Sequence, residues 1–184
     1  MVQLSKVLAS IAFGAACIAL PVQASPQCLS AANSQSEAQV AEGLKPVGET
    51  RLRVLFMRIY DAALFTDSGD LDSAERLALA IEYARNFSAQ QLVNQTRDEW
   101  ERMDLVTSDS ESWLTELSAM WPDVNSGDCI VAIRTEEGST KFFSRDRELG
   151  VIEAPGFAER FFAIWLSEQA RFRRSRDELV GERG

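Results

Sequence analysis

The chain has 184 residues, 46% of them hydrophobic, which is enough for one compact domain with a real core. Acidic residues outnumber basic ones 28 to 19, and the formal net charge of −9 disfavours binding to nucleic acid or to an anionic membrane surface. The sequence has no His, which excludes Ser-His-Asp and Cys-His catalysis and the commonest zinc and iron sites. It also lacks G-x-G-x-x-G and P-loop motifs, so we expect no cofactor and no metal.

Residues 1–24 have the three parts of a signal peptide. Lys6 supplies a positive start, Val7–Leu20 is an apolar run, and Val22-Gln23-Ala24 fits a cleavage site before Ser25. The apolar run is short for a membrane span, although an uncleaved anchor is the alternative. We therefore expect a periplasmic or secreted protein. Residues 25–44 are interpreted as an N-terminal lead-in, and residues 45–184 as the domain.

Two cysteines, Cys28 and Cys129, follow the predicted cleavage site. An even count in an oxidising compartment predicts a disulfide between them, and the alternative is two separate thiols. No pair has the C-x-x-C spacing typical of redox catalysis.

The run Arg51–Phe65 is nearly continuous in apolar, β-branched and aromatic residues. Its composition favours one long strand at the centre of a sheet. Simple alternation places Arg51 and Arg53 on one face of that strand, with Arg58 and Tyr60 on the other. The acidic stretch that follows, residues 67–75, lacks the spacing of a helix–loop–helix calcium site and is interpreted as a solvated turn.

Downstream of the turn, a second strand is predicted and then two helices. Ser88 and Gln91 form a capping box that opens the first helix, which is expected to continue to about Met103. Ser108 and Glu111 repeat that signal for the second helix, which Pro122 ends. The predicted ranges are Leu77–Arg85 for the strand and residues 88–103 and 108–121 for the helices.

The last third of the sequence returns to strands and ends in helices. A hairpin with a turn at 136–139, a polar turn at 145–148 and a short strand at 149–152 are predicted first. An apolar helix follows, which is expected to begin near Pro155 and to contain Phe157, Phe161, Phe162, Ile164, Trp165 and Leu166. That helix must pack on the sheet, and a polar helix or tail follows from Ser167. This order of elements predicts a single α+β domain in which helices cover an antiparallel sheet.

Candidate binding groups are the polar side chains inside apolar strands, namely Arg51, Arg53, Arg58 and Tyr83. Guanidinium groups and a phenol together suit a carboxylate, phenolate or enolate oxygen. The alternative is that each Arg extends into solvent or pairs with an internal acid such as Glu49, Asp61 or Glu82.

Four segments, in this order after a signal peptide, resemble the exported bacterial chalcone isomerase-like family. They are VGETRLRVLFMRIYDAALF, LALAIEYARNFSAQQLVNQTRDEW, WLTELSAMWPDVNSGD and FAERFFAIWLS. The resemblance implies an open-faced β-sandwich, a large antiparallel sheet packed by helices around an apolar cleft. It also implies an Arg–Tyr pair for a fatty-acid carboxylate. Tyr83 matches the cleft Tyr, and Arg51 and Arg53 are rival positions for the Arg.

The resemblance implies a non-catalytic protein that binds a fatty acid or a similar amphipathic carboxylate. One alternative is a periplasmic helper protein that binds a protein partner and no ligand. Another is an isomerase, an intramolecular lyase that acts on a chalcone-like substrate with Tyr83 and an Arg as stabilising groups. The Thr and Asn groups of the plant enzymes have no counterpart that we can place on this chain.

Overall fold

In the computed structural model, the described residues are 43–144 and 147–183. Within them, six strands form one antiparallel sheet in the order of the sequence, each strand pairing with the next. The strands are β1 (Lys45–Val54), β2 (Met57–Thr66), β3 (Leu77–Tyr83), β4 (Cys129–Arg134), β5 (Thr140–Ser144) and β6 (Arg147–Ile152). The predicted α+β class with an antiparallel sheet is confirmed.

The helices of the described part are α1 (Ala89–Arg102), α2 (Ser110–Met120), α3 (Phe157–Leu166) and α4 (Arg173–Leu179). The capping box at α1 is confirmed, because the Ser88 side chain accepts from the Gln91 backbone N–H and the Gln91 side chain accepts from Ser88 N–H. The cap predicted for α2 is wrong: its N-cap is Asp109, with no side-chain hydrogen bond. Of the helices in the described part of the chain, none has the length and apolar character that crossing a bilayer requires.

The prediction of one long strand over Arg51–Phe65 is wrong, since this run is a hairpin of β1 and β2. The turn consists of Leu55 and Phe56, and Leu55 has a left-handed φ of 57°. Short hairpin turns are normally marked by Gly, Asn or Asp, which tolerate positive φ. Because two large apolar residues occupy this turn, the composition gives no signal that the strand ends.

The helices lie on one face of the sheet, and aromatic rings fill the layer between them. Trp100, Trp113 and Phe157 from the helices contact one another edge-on, with ring centroids 5.7–6.2 Å apart. Phe142 of β5 meets Phe161 of α3 at 5.2 Å. These rings are at most 3% exposed, so the tryptophans predicted as core at positions 100 and 113 are confirmed there.

The opposite face of the sheet carries a second cluster of buried side chains. Its members are Ala78, Ala80, Cys129, Val131, Ile133 and Phe143. Cys129 is disulfide-bonded. Cys28, its predicted partner, lies outside the described residues, so the Cys28–Cys129 pairing stays a prediction.

The polar C-terminal segment includes a helix, α4, that packs on the first strand. Thr50 donates to the Glu178 carboxylate at 2.7 Å. Gly48 allows the close approach, because a Cβ at this position would lie 2.6 Å from the Leu179 carbonyl oxygen. The C terminus therefore fixes β1, which is an edge strand of the sheet.

Candidate functional site

Two of the three predicted arginines bind an internal carboxylate. Arg51 and Arg58 each donate two hydrogen bonds to Asp61, at 2.8 and 2.9 Å, and Asp61 is only 4% exposed. Burial raises the pKa of Asp61, but the hydrogen bonds from Arg51 and Arg58 outweigh it and hold the pKa below its ordinary value. Arg58 also reaches Glu82 at 3.5 Å. The alternative in which these arginines pair with internal acids is thus confirmed for Arg51 and Arg58.

The face predicted for Arg58 is wrong because β2 contains a bulge. The register steps from Leu52 opposite Tyr60 to Arg53 opposite Arg58, so that Ile59 is the extra residue. The bulge moves Arg58 to the face of Asp61 and Glu82. Arg53, the third arginine, is exposed and makes no ion pair with any described residue.

Tyr83 lies on the other face, between the sheet and the helices. It belongs to the core cluster that the helices cover, whereas its neighbour Glu82 points to the arginine side. The structure therefore does not bring Tyr83 together with the predicted arginines. Its side chain is 8% exposed, and burial raises the pKa of its phenol, which stays protonated at neutral pH.

The Tyr83 ring is packed within the core cluster that the helices cover. Phe87 meets this ring edge-on at 5.9 Å. The Phe87 position is fixed by two backbone hydrogen bonds with Val124, at 2.8 and 2.9 Å. A phenol is thus held in a fixed position in an apolar setting.

Tyr60 completes this end of the layer, and sequence reasoning missed it. It lies directly opposite Tyr83 across β2 and β3. Burial raises the pKa of Tyr60, while the neighbouring Trp165 indole N–H opposes that rise. Tyr60 could have been found from its position in the predicted strand, because it is one of only two tyrosines in the chain. Tyr60, Tyr83, Phe87 and Trp165 are called the tyrosine end below.

A buried carboxylate with two guanidinium partners lies close to the tyrosine end. Glu99 of α1 is 4% exposed and accepts from Arg102 at 2.8 Å and from Arg171 at 2.6 Å. Its charge also raises the pKa of Tyr60. Two guanidinium groups against one carboxylate leave one positive charge in excess. Arg171 is 45% exposed and keeps donors free for a second anion.

Other features of the described residues give no catalytic constellation. No group of three or more His, Cys, Asp or Glu in this part of the chain is placed to hold a metal ion. The acidic stretch is a hydrogen-bonded turn, in which Asp70 accepts from Ser73 N–H and Oγ and Asp67 accepts from Ser68 and Arg76 N–H. An open groove of about 420 Å³ lies between α1 and α2, lined by Val93, Arg97 and Leu114 among others.

Comparisons with known proteins support the fold. No family model matches the chain. An uncharacterized protein of Haemophilus influenzae is 25% identical over 139 residues, which cover 75% of this chain and 68% of that protein. The crystal structure of the Arabidopsis thaliana fatty-acid binding protein AtFAP1 matches with a TM-score of 0.60 at 9% identity, covering 77% of this chain and 88% of that chain. The chain therefore has the chalcone isomerase-like α+β fold that this plant fatty-acid binding protein also adopts.

Proposed function

We propose that the protein is an exported, non-catalytic member of the chalcone isomerase-like proteins that binds a fatty acid or a similar amphipathic carboxylate. The observation that carries this proposal is the Tyr83 phenol, which lies between the sheet and the helices, is 8% exposed and stands opposite Tyr60. A ligand carboxylate is a strong acceptor for such a donor. Export rests on the signal-peptide pattern of residues 1–24.

The proposed ligand has its head group at the tyrosine end and not at Arg51 or Arg58. Those two arginines are already bound to Asp61 on the far face of the sheet. Arg171 and Arg102 lie on the helix side, where their excess positive charge suits a carboxylate. The rings of Phe87 and Trp165 offer apolar surface for the first part of a hydrocarbon chain.

One observation favours a second function, a helper protein that binds a protein partner and no ligand. Trp100, Trp113, Phe142, Phe157 and Phe161 pack against one another in the layer between sheet and helices. A long hydrocarbon chain would have to displace some of these contacts, which are close-packed. The two functions differ in whether a small molecule binds at all.

The test is a titration of the purified protein with a fluorescent fatty acid, followed by displacement with unlabelled fatty acids. Small molecules extracted from the protein as isolated are identified by mass spectrometry in parallel. Saturable binding of one reporter per chain, reversed by unlabelled fatty acid, supports the binding function. The absence of both reporter binding and extracted lipid supports the helper function.

A further inference from the structure

The tip of the β1–β2 hairpin exposes large apolar side chains. Leu55 is 84% exposed and Phe56 is 99% exposed, and the flanking Val54 and Met57 are 37% and 46% exposed. Single exposed apolar residues are ordinary on protein surfaces. Four in succession on one turn form a contiguous patch, here called the apolar tip, and such patches mark sites of interaction.

The apolar tip projects beyond the rest of the sheet. β3 pairs with β2 only from Tyr60 onward, and Ala84 N–H adds one bond to the Ile59 carbonyl, so residues 53–58 form a two-stranded ribbon with no third strand beside it. At about 3.3 Å per residue, the turn lies roughly 10 Å beyond the last three-stranded pair. Tyr60 and Tyr83, the last pair, stand at the base of this ribbon.

Two features of the ribbon oppose its own stability. The first is the solvent exposure of Leu55 and Phe56. The second is the left-handed backbone of Leu55, a conformation that costs a residue with a Cβ. Local conflicts at one place, in a chain that is otherwise consistent, point to a role other than folding.

Charge and size together identify the partner. No acidic residue occurs between Leu52 and Tyr60, and Arg53 makes no ion pair with a described residue. A lipid phosphate would give the Arg53 guanidinium a charged acceptor. A stable protein interface involves about 20–30 residues on each partner, whereas the apolar tip offers four. A bilayer sets no such area requirement, because it accommodates any protruding apolar group.

We propose that the apolar tip inserts into the interfacial region of a bilayer that contains anionic lipids, with Arg53 at the level of the phosphates. The net charge of −9 repels such a surface as a whole. Contact therefore depends on the tip, which holds the rest of the chain away from the bilayer. This proposal goes beyond the proposed function and does not depend on it, because the apolar tip is exposed whether or not a ligand binds.

The experiment is co-sedimentation of the protein, expressed from its full sequence and characterised by intact mass, with vesicles. One set contains phosphatidylcholine alone, and the other contains phosphatidylcholine with about a third phosphatidylglycerol. The Leu55→Ser/Phe56→Ser variant should lower the fraction bound to the second set about tenfold or more, since two apolar side chains are removed. The matched control, Val106→Ser/Phe172→Ser, removes two other exposed apolar side chains.

The Arg53→Gln variant should weaken binding to the anionic vesicles several-fold and leave binding to phosphatidylcholine unchanged. A Phe56→Trp variant should gain fluorescence that brominated lipids quench, relative to the parent protein. The proposal is overturned if the protein does not sediment with either set, or if the tip variant binds as well as the control variant. A photo-crosslinker at position 56 that captures a protein and no lipid also overturns it. Loss of fatty-acid binding with unchanged sedimentation overturns only the proposed function.

Discussion

Arg58 and Asp61 lie three residues apart on β2 but point to the same face of the sheet, where two hydrogen bonds of 2.8 and 2.9 Å join them. In a regular strand these positions would face opposite sides. The bulge at Ile59 brings them together, and Arg51 from β1 completes the arrangement from across the strand pair. A single buried carboxylate thereby binds the two arginines and joins the edge strand to its neighbour.

We expect Asp61→Asn to lower the free energy of unfolding by about 2 kcal/mol, because it removes charge-assisted bonds to two arginines that are themselves partly exposed. The folded-state pKa of Asp61 is lowered, so its contribution is present above the ordinary carboxyl pKa of about 3.9 and is lost as pH falls through the folded-state value. Urea unfolding of both proteins should therefore show a gap at neutral pH that closes below about pH 4.

Asp72→Asn is the control for this measurement, since Asp72 is exposed in the acidic turn. We expect it to change the free energy of unfolding by less than about 0.5 kcal/mol. If the Asp61→Asn variant were as stable as the parent at neutral pH, the ion pairs of Asp61 would contribute no more than the hydration that the charged groups lose on folding.

Gly48→Ala should destabilise the protein by about 2–3 kcal/mol, because the added methyl group would press on the backbone carbonyls of Glu178 and Leu179 in α4. Gly43→Ala is a comparison with open space around the new Cβ but a φ of +81°. We expect it to cost about 1 kcal/mol. Thermal unfolding of the two variants checks this order, and equal stability would show that α4 does not pack tightly on β1.

Leu55→Gly should raise the free energy of unfolding by roughly 0.5–1 kcal/mol. Glycine removes the cost of a left-handed Leu, and the greater freedom of the unfolded chain offsets part of this gain. Val54→Gly is the matched control, since Val54 lies within β1 and the same substitution there should destabilise. Urea unfolding distinguishes the two directions, and a destabilised Leu55→Gly variant would refute strain at the turn.

The sequence predicts most of this fold where its local signals agree. Ser88 with Gln91 opens α1, and the apolar faces of the helices place Trp100 and Trp113 in the core. It does not predict the hairpin, because Leu55 and Phe56 occupy a turn that composition assigns to Gly or Asn.

The candidate binding residues are harder to predict than the fold, for two reasons. A bulge of one residue reverses the face of every side chain beyond it. Alternation counted through Ile59 therefore grouped Arg58 with Tyr60, whereas the structure places them on opposite faces. Tyr83 was identified because it matches the cleft Tyr of the family that the sequence resembles, and it lies between the sheet and the helices. Glu99 and Arg171 are 72 residues apart in sequence, and no local pattern indicates their contact.

Arg171→Gln should raise the dissociation constant of a fluorescent fatty acid about tenfold, since it removes one charge-assisted hydrogen bond to the head group. Arg173→Gln is the matched control, because Arg173 is 70% exposed and pairs with Glu168 on the surface. Arg53→Gln should also leave this constant unchanged. If Arg53→Gln raised the dissociation constant and Arg171→Gln did not, the head group would bind at the hairpin arginines and not at Arg171.

The most direct test of the proposed fatty-acid binding is a titration of the parent protein and of Tyr83→Phe, observed by native mass spectrometry. We expect one bound fatty acid per parent chain and at least several-fold weaker binding by Tyr83→Phe, with both proteins equally stable to urea. A parent protein that binds no fatty acid, or a Tyr83→Phe variant that binds as tightly as the parent, would contradict the proposed function.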